Sequence, residues 1–248
     1  MLRSLYIAGT GMLAQRKKLD VSTNNITNIE TVGYKKDSLI TQSFEDMLLT
    51  RMNDPVTRSG GTEVGAQNFG LHVDEVVTRF DQGSLEPTGR LSDVALQGDG
   101  FFAIAAPQGE RYTRNGAFAV SRFGYLITED GHYVAGETGR VFVGDGDFSI
   151  DAQGNVMVDG AVSNKLRIVT FADNGVLRKD GSNLFIGNGA QVAQNINVKQ
   201  GSLENSNVQI AEEMVNVMTM SRNYETNQRI VKMVDESLSK SVNEVGRV

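Results

Sequence analysis

Few residues of this chain have the type and spacing that catalytic chemistry requires. The 248 residues contain no cysteine and two histidines, His72 and His132, which excludes thiolate nucleophiles, thiolate metal sites and disulfides. Neither histidine lies in a serine-hydrolase or zinc-protease motif. The adjacent acids Glu129 and Asp130 would serve glycoside hydrolysis only if two carboxylates flanked a sugar site, and the sequence does not show one. We therefore predict a chain that is not an enzyme and binds no cofactor or metal ion.

Charge and hydropathy narrow the class further. The chain carries 30 acidic and 24 basic residues, a net charge of −6, without the clustered Lys/Arg surface that nucleic acid demands. No run approaches the roughly 18 apolar residues of a membrane span. The first fourteen residues are interrupted by Arg3, Gly9 and Gly11 and do not resemble a cleavable signal peptide. We expect no nucleic-acid partner, no membrane insertion and, if the protein works outside the cytoplasm, export without signal cleavage.

The two ends of the chain, which would position any functional surface, have the periodicity of helices. Apolar and small residues recur every three or four positions over the first thirty residues and over the last forty. Neither end contains proline, and Asn205, Ser206 and Asn207 are good helix caps. We predict helices near residues 2–30 and 208–245. The residues that we assign to helix packing are Leu5, Met12, Leu19, Ile26, Met214, Val217, Tyr224, Val231 and Leu238.

The apolar face of each predicted helix is interrupted by polar residues. Polar residues such as Gln15, Ser22 and Gln228 occupy positions where a strong coiled coil would have Leu or Ile. A helix of about 35 residues spans roughly 50 Å, which exceeds the width of the core that this chain can build around it. Much of the apolar face of the second helix should therefore contact other chains. An ordinary core helix or an intramolecular coiled coil is the alternative.

The middle of the chain has the pattern of an all-β region. Short β-branched and aromatic runs alternate with Asp-Gly and Asn-Gly dipeptides, which favour tight hairpins. The predicted fold class is therefore α+β, with paired long N- and C-terminal helices forming a coiled-coil-like module and an inserted all-β sandwich or barrel-like domain. The predicted boundaries are 1–34 for the first helix and turn, 35–68 for a flexible or assembly-ordered arm, 69–200 for the β domain and 201–248 for the last helix.

The most distinctive motif follows the first helix. Asn and Thr side chains compete for backbone groups and end helices, and a glycine then permits a left-handed turn. The residues that define the motif are Asn24, Asn25, Asn28, Thr31, Gly33, Tyr34 and Lys35. They match the N-terminal signature that this motif resembles, that of bacterial flagellar rod and hook proteins. One departure is Thr27, where the family usually has alanine.

Further blocks resemble the same family in the same order. They are residues 93–102, 112–118 and 201–208, followed by a C-terminal helix that contains Glu213-Met214-Val215 and Arg222-Asn223-Tyr224. The resemblance therefore covers nearly the whole chain.

The resemblance implies a structural subunit of the flagellar basal-body rod. Such subunits polymerise into a helical tube through their terminal helices, transmit torque and extend the export channel. The implied partners are other copies of the chain, neighbouring rod and hook subunits and the flagellar type III export apparatus. The implied location is the basal body outside the cytoplasmic membrane. The helix positions given above would then pack within and between subunits, and the turn from Asn24 to Tyr34 would set subunit geometry.

Two alternatives are open at this point. A hook or hook-associated subunit shares the terminal motifs, although it usually carries longer outer domains. A glycan-binding adhesive β domain with helical appendages would need exposed aromatic side chains, and the chain has no Trp and six Tyr. The motifs also do not separate a proximal from a distal rod member.

Overall fold

A computed structural model describes residues 2–51, 62–144, 146–193 and 197–245. Helix α1 spans Leu2–Thr27 and helix α2 spans Ile210–Lys240, continued by a π-helical turn at Ser241–Val245. The strands that lie between the helices in sequence are β1 (Asp37–Ser43), β2 (Met47–Arg51), β3 (Thr62–Gln67), β4 (Leu71–Thr78), β5 (Leu85–Pro87), β6 (Val94–Gln97), β7 (Phe101–Ala106), β8 (Gly109–Thr113), β9 (Ala119–Val120), β10 (Leu126–Ile127), β11 (Tyr133–Gly136), β12 (Gly139–Arg140), β13 (Phe148–Ile150), β14 (Asn155–Val158), β15 (Ala161–Lys165), β16 (Ile168–Thr170), β17 (Arg178–Lys179), β18 (Leu184–Ile186), β19 (Gln191–Val192), β20 (Asn197–Gln200) and β21 (Ser202–Glu204).

The predicted α+β class is confirmed, since two terminal helices in contact flank a β-rich region in sequence. The chain divides into two compact units. The helical unit comprises Met1–Asn25, Asp37–Val77 and Ile210–Val248, and the β unit comprises Ile26–Lys36 and Thr78–Gln209.

The helical unit contains both long helices and two small antiparallel pairs of strands. Strand β1 pairs with β4, and β2 pairs with β3 in a hairpin whose register shifts between Leu49 and Thr50. The helices approach closely at Gly11, where a Cβ atom would lie 3.0 Å from Asn227 Nδ2. The described parts of the predicted arm therefore form strands. Residues 52–61 of that arm lie outside the described residues, and ordering on assembly stays a prediction.

The β unit is built on a branched antiparallel sheet with the strand order β17-β18-β8-β7-β11-β10-β9. Strand β7 is central and also pairs with β16. Its side chains alternate between two apolar clusters, because successive residues of a strand point to opposite faces. Phe102 and Ile104 belong to the larger cluster, and Phe101 and Ala103 to the smaller one. Burial on both faces explains the uninterrupted apolar sequence of this strand.

Two further strand pairs bring the end of the β unit back to its beginning. Strand β20 pairs with β6, and β21 pairs with β5. The pairing of β21 with β5 places Glu204 opposite Leu85. Glu204 is buried in the interior of the unit.

The hairpin prediction holds for some turns and fails for others. Asp130-Gly131, Asp159-Gly160 and Asp180-Gly181 each connect two paired antiparallel strands. Asn174-Gly175 instead lies in a 3₁₀ turn, because the Asp173 side chain accepts a hydrogen bond from the Gly175 amide. Gly116 permits a close approach of two chain segments, since a Cβ atom there would lie 1.6 Å from the Val94 carbonyl oxygen. A dipeptide alone therefore does not separate a hairpin from other tight turns.

Within the described part of the chain, no helix combines the length and hydropathy needed to cross a bilayer. Over the same residues, no three or more His, Asp or Glu side chains converge in a way that would hold a metal ion.

Candidate functional site in the turn motif and on the terminal helices

The asparagine at the end of α1 ties that helix to strand β1. Asn25 is buried, its Nδ2 donates to the Asp37 carbonyl at 2.9 Å, and its Oδ1 accepts from the Asp37 amide at 3.0 Å. This pair of bonds imitates a backbone pairing, which an ionised Asp in the same place could not complete because its carboxylate has no donor.

Gly33 occupies a site that admits no side chain. Its φ is +68°, and a Cβ atom would lie 2.5 Å from the backbone of Arg114 and Asn115. Its amide donates to the Glu204 carbonyl at 2.7 Å. The glycine is thus required both for the left-handed turn and for the close approach of two chain segments.

A buried ionic network lies directly beside this glycine. Lys35 is fully buried, and its Nζ lies 2.5 Å from Glu204 Oε1 while also donating to the Asp81 carbonyl at 2.8 Å. Arg114 Nε lies 3.2 Å from Glu204 Oε2. The network therefore joins residues that are far apart in sequence and belong to three separate motifs.

The network holds two cations against one carboxylate. Backbone carbonyls accept further hydrogen bonds, since the Arg114 guanidinium donates to Gly100 at 2.7 Å and to Gly98 at 2.6 Å. Glu204 Oε1 accepts a further bond from the Gly83 amide at 3.0 Å. Fixed dipoles thus replace the water that the surplus positive charge has lost.

Burial dominates the proton equilibria of both cations. It lowers the pKa of Lys35 below the ordinary lysine value, and the nearby Glu204 carboxylate offsets part of that effect. Burial likewise lowers the pKa of Arg114, again against the attraction of Glu204. Both shifts mean that the charged forms of Lys35 and Arg114 lose free energy of hydration inside the fold. The attraction of Glu204 offsets only part of that loss.

Tyr34 packs beside the same network. Its ring is buried, and Lys179 Nζ lies 4.1 Å from the ring centroid while donating to the Lys35 carbonyl at 2.7 Å. Asn183 Nδ2 donates to the Val32 carbonyl at 3.1 Å. The loop around residue 180 therefore closes over the turn, through a cation–π contact and two hydrogen bonds.

The remaining residues of the turn motif lie nearer the surface. Thr31 Oγ1 donates to Asn28 Oδ1 at 3.2 Å, and the Tyr34 amide donates to the Thr31 carbonyl at 3.2 Å. Asn24 is exposed. Of the seven predicted motif residues, the structure brings Gly33, Tyr34 and Lys35 together in one buried site.

Sequence reasoning missed the partners of Lys35. Arg114 and Glu204 occupy two of the blocks that resemble the rod and hook family, yet neither was singled out as a site residue. A hint was present in the sequence, because Arg114 is the one charged residue of block 112–118 and Glu204 is the one charged residue of block 201–208. Their convergence was not visible, because Lys35 and Glu204 are 169 positions apart.

The predicted packing residues on the helices lie mainly on partly buried faces. On α1, Ala8 and Ala14 are buried beside the stripe. On α2, Met214 differs from the other predicted positions because its side chain is 54% exposed. The predicted residues that are partly buried are Leu5, Met12, Leu19, Ile26, Val217, Tyr224, Val231 and Leu238.

Both helices also present large apolar side chains to solvent. Leu13 on α1 is 64% exposed, and Met233 on α2 is 60% exposed. Exposed apolar side chains grouped on one element are typical of surfaces that bind a partner. The other members of this set are Tyr6, Ile7, Ile210, Met214, Val215, Met218 and Val242.

Three family models match separate segments of the chain. The model described as flagella basal body rod protein matches residues 5–35. The flagellar hook protein FlgE/F/G D1 domain matches residues 95–158, and the flagellar basal body rod FlgEFG protein C-terminal model matches residues 199–244. Lys35, Arg114 and Glu204 fall one in each matched segment.

Full-length relatives are similar to this chain from end to end. FlgG, a flagellar basal-body rod protein of Bacillus subtilis, is 34% identical over 98% of this chain and 99% of its own length. FlgF, a flagellar basal-body rod protein of Caulobacter vibrioides, is 32% identical over 100% of this chain and 98% of its own length. FlhO of Bacillus subtilis, a flagellar hook-basal body complex protein, is 27% identical over the full length of both chains.

The helix-flanked β fold and these matches define a class, the structural, non-enzymatic proteins of the flagellar hook-basal body complex. Within that class, the chain belongs to the flagellar basal-body rod protein family and is a subunit of the rod.

Proposed function

We propose that this rod subunit polymerises through its terminal helices into a helical tube that transmits torque and extends the export channel. The observation that carries the proposal is the exposure of large apolar side chains on both helices, such as Leu13 and Met214. Covering such surfaces with neighbouring subunits removes apolar area from water, which favours association.

The partly buried stripe residues would pack the two helices of one subunit, and Met214 would pack against a neighbour. The polar stripe positions weaken the helix pair in a single chain. Contacts with neighbouring subunits would then stabilise the helix pair, because a partner that binds only the folded state shifts the equilibrium towards that state. Subunits of this kind stay soluble before assembly and become rigid within the tube.

The motif from Asn24 to Lys35 would set subunit geometry. Support comes from the fixed turn at Gly33 and from the buried Lys35 network, which give every copy the same backbone path after α1. A polymer needs such uniformity, because contacts repeated by one rotation and translation generate a regular helix only if all copies are alike.

The partners of the tube would be further copies of this chain, neighbouring rod and hook subunits, and the flagellar type III export apparatus. Its place would be the basal body outside the cytoplasmic membrane, reached by export without signal cleavage. This part of the proposal is supported by membership of the rod family.

Deletion and complementation in the source cells test the proposal. Cells that lack the gene should build no rod beyond the missing segment and should not swim, and the wild-type gene should restore both. The chain recovered from isolated basal bodies should have its full mass, including the N-terminal residues. Motile deletion cells with complete basal bodies would contradict the proposal.

A further inference from the structure

The hairpin formed by β17 and β18 lies at one end of the strand order of the branched sheet. All three residues of its loop have positive φ, with +79° at Gly181, +42° at Ser182 and +55° at Asn183. A three-residue hairpin loop usually needs only one residue in the left-handed region. Residues other than glycine rarely adopt this conformation, and it persists where surrounding contacts enforce it. The loop is therefore held in a strained conformation by its neighbours.

Strand β8 holds the base of the hairpin. Leu184 pairs with Thr113 of that strand, and Thr113 Oγ1 donates to the Asn183 carbonyl at 2.9 Å. Arg111 Nε donates to Asp180 Oδ2 at 2.6 Å. These contacts fix where the loop begins and ends. They use the backbone of Asn183, so its side chain can serve another contact.

Two side chains of the hairpin hold the turn motif. Asn183 Nδ2 donates to the Val32 carbonyl at 3.1 Å, and Lys179 Nζ donates to the Lys35 carbonyl at 2.7 Å. The Lys179 ammonium also lies 4.1 Å from the centroid of the Tyr34 ring. The two carbonyls lie on either side of the left-handed glycine and of the buried tyrosine. The hairpin therefore holds the turn at both of its ends.

Asn183 links the strained loop to the turn. Asparagine enters the left-handed region more readily than most residues, and its side-chain amide is a hydrogen-bond donor. One residue thus adopts the backbone conformation of the loop and also donates to the turn. Strained backbone of this kind is typical of clamps and switch segments.

We propose that this hairpin is a clamp, which fixes the turn from Val32 to Lys35 in the geometry that assembly requires, with Asn183 and Lys179 as its positioning residues. The inference rests on the proposed role of the turn in subunit geometry, and it adds the element that controls the turn. Rods assemble from subunits whose clamp is closed, because repeated contacts generate a regular helix only if all copies are alike.

The clamp opens without unfolding of the β unit. Strand β17 has two residues and ends the strand order of the sheet, and Lys179 is an exposed residue. Edge segments with few buried contacts open at a lower free energy than the whole domain. Opening of the hairpin releases the turn while the two apolar clusters of the β unit stay buried.

Hydrogen exchange of the purified full-length protein, measured at single amides, tests the clamp. Asn183→Asp keeps a residue that tolerates positive φ and removes the amide donor. The amides of Gly33 and Tyr34, which both donate to backbone carbonyls, should exchange about five- to tenfold faster in this variant, because a lost hydrogen bond makes local opening easier. The Ala103 amide of β7 should exchange at the wild-type rate.

A second variant and a matched control separate the clamp from general effects on folding. Lys179→Met removes the cation and the donor at an exposed position, and it should speed exchange at the same two amides. The control is Asp159→Asn, because Asp159 is an exposed hairpin residue that also has positive φ, at +52°. It should leave both amides unchanged. Wild-type exchange at both amides in the two clamp variants, or equally faster exchange at Ala103, would overturn the inference.

The same three variants are then expressed in cells that lack the native gene. Cells with Asn183→Asp or Lys179→Met should hold fewer complete rods and swim less than cells with Asp159→Asn. Faster exchange at the turn together with wild-type rod numbers would overturn the link between the clamp and assembly. Absence of the wild-type chain from isolated rods would overturn the proposed function instead, and the exchange rates would still decide whether the hairpin fixes the turn.

Discussion

At the scale of single residues, the site depends on one carboxylate shared by two buried cations. Glu204 contacts both Lys35 and Arg114, and its backbone carbonyl also accepts from Gly33. A buried ion pair need not add net stability, because desolvation opposes the attraction. Breaking it, however, leaves charges without compensation in the interior, so the carboxylate is the member whose loss should cost most.

Replacing Glu204 by Gln should lower the free energy of unfolding by about 3–5 kcal/mol, because Lys35 and Arg114 would remain buried without a contacting carboxylate. Urea denaturation measures this change. Glu137→Gln is the matched control, since Glu137 pairs with Lys165 at 3.1 Å with both side chains well exposed. It should lower the free energy of unfolding by only about 0–1 kcal/mol. Equal effects of the two substitutions would contradict the role given to the network.

At the scale of elements, the helices and the turn motif were the predictable parts. Periodicity placed both helices within a few residues of Leu2–Thr27 and Ile210–Lys240, because a helix that buries one face repeats that face in its sequence. The burial of Lys35 was not predictable, since a lysine after a turn is normally exposed. Its burial depends on Arg114 and Glu204, which only the tertiary fold brings together.

Because Met214 is exposed, a substitution there can affect subunit contacts without disturbing the fold of the single subunit. Aspartate at Val217 would disturb the subunit itself, because Val217 is partly buried. Aspartate at the exposed Met214 should change the stability of the free subunit by no more than about 0.5 kcal/mol. It should nevertheless abolish assembly, since the rod contact would bury an unpaired charge at a cost of several kcal/mol.

The measurement for Met214→Asp combines urea denaturation of the purified protein with motility of cells that carry the variant gene. Thr226→Asp is the control, because Thr226 is an exposed polar residue of the same helix. Control cells should swim. Normal swimming of the Met214→Asp cells would contradict the assignment of this residue to a subunit contact.

At the scale of the whole molecule, the chain contains a β unit and a helical unit, and the apolar surfaces of the helical unit are incompletely covered. The β unit buries two apolar clusters made of its own residues. The exposed Leu13 and Met214 in the helical unit indicate the surface that assembly would cover. The change from helical to strand periodicity predicted helical ends around a β-rich middle, but not the strands β1, β2 and β3 within the arm.

Electron microscopy of the purified full-length protein at rising concentration, with and without isolated basal bodies as templates, tests the central claim most directly. The account predicts filaments or tubes from the wild-type chain and none from Met214→Asp under the same conditions. Single subunits at every concentration, even in the presence of templates, would contradict polymerisation through the terminal helices.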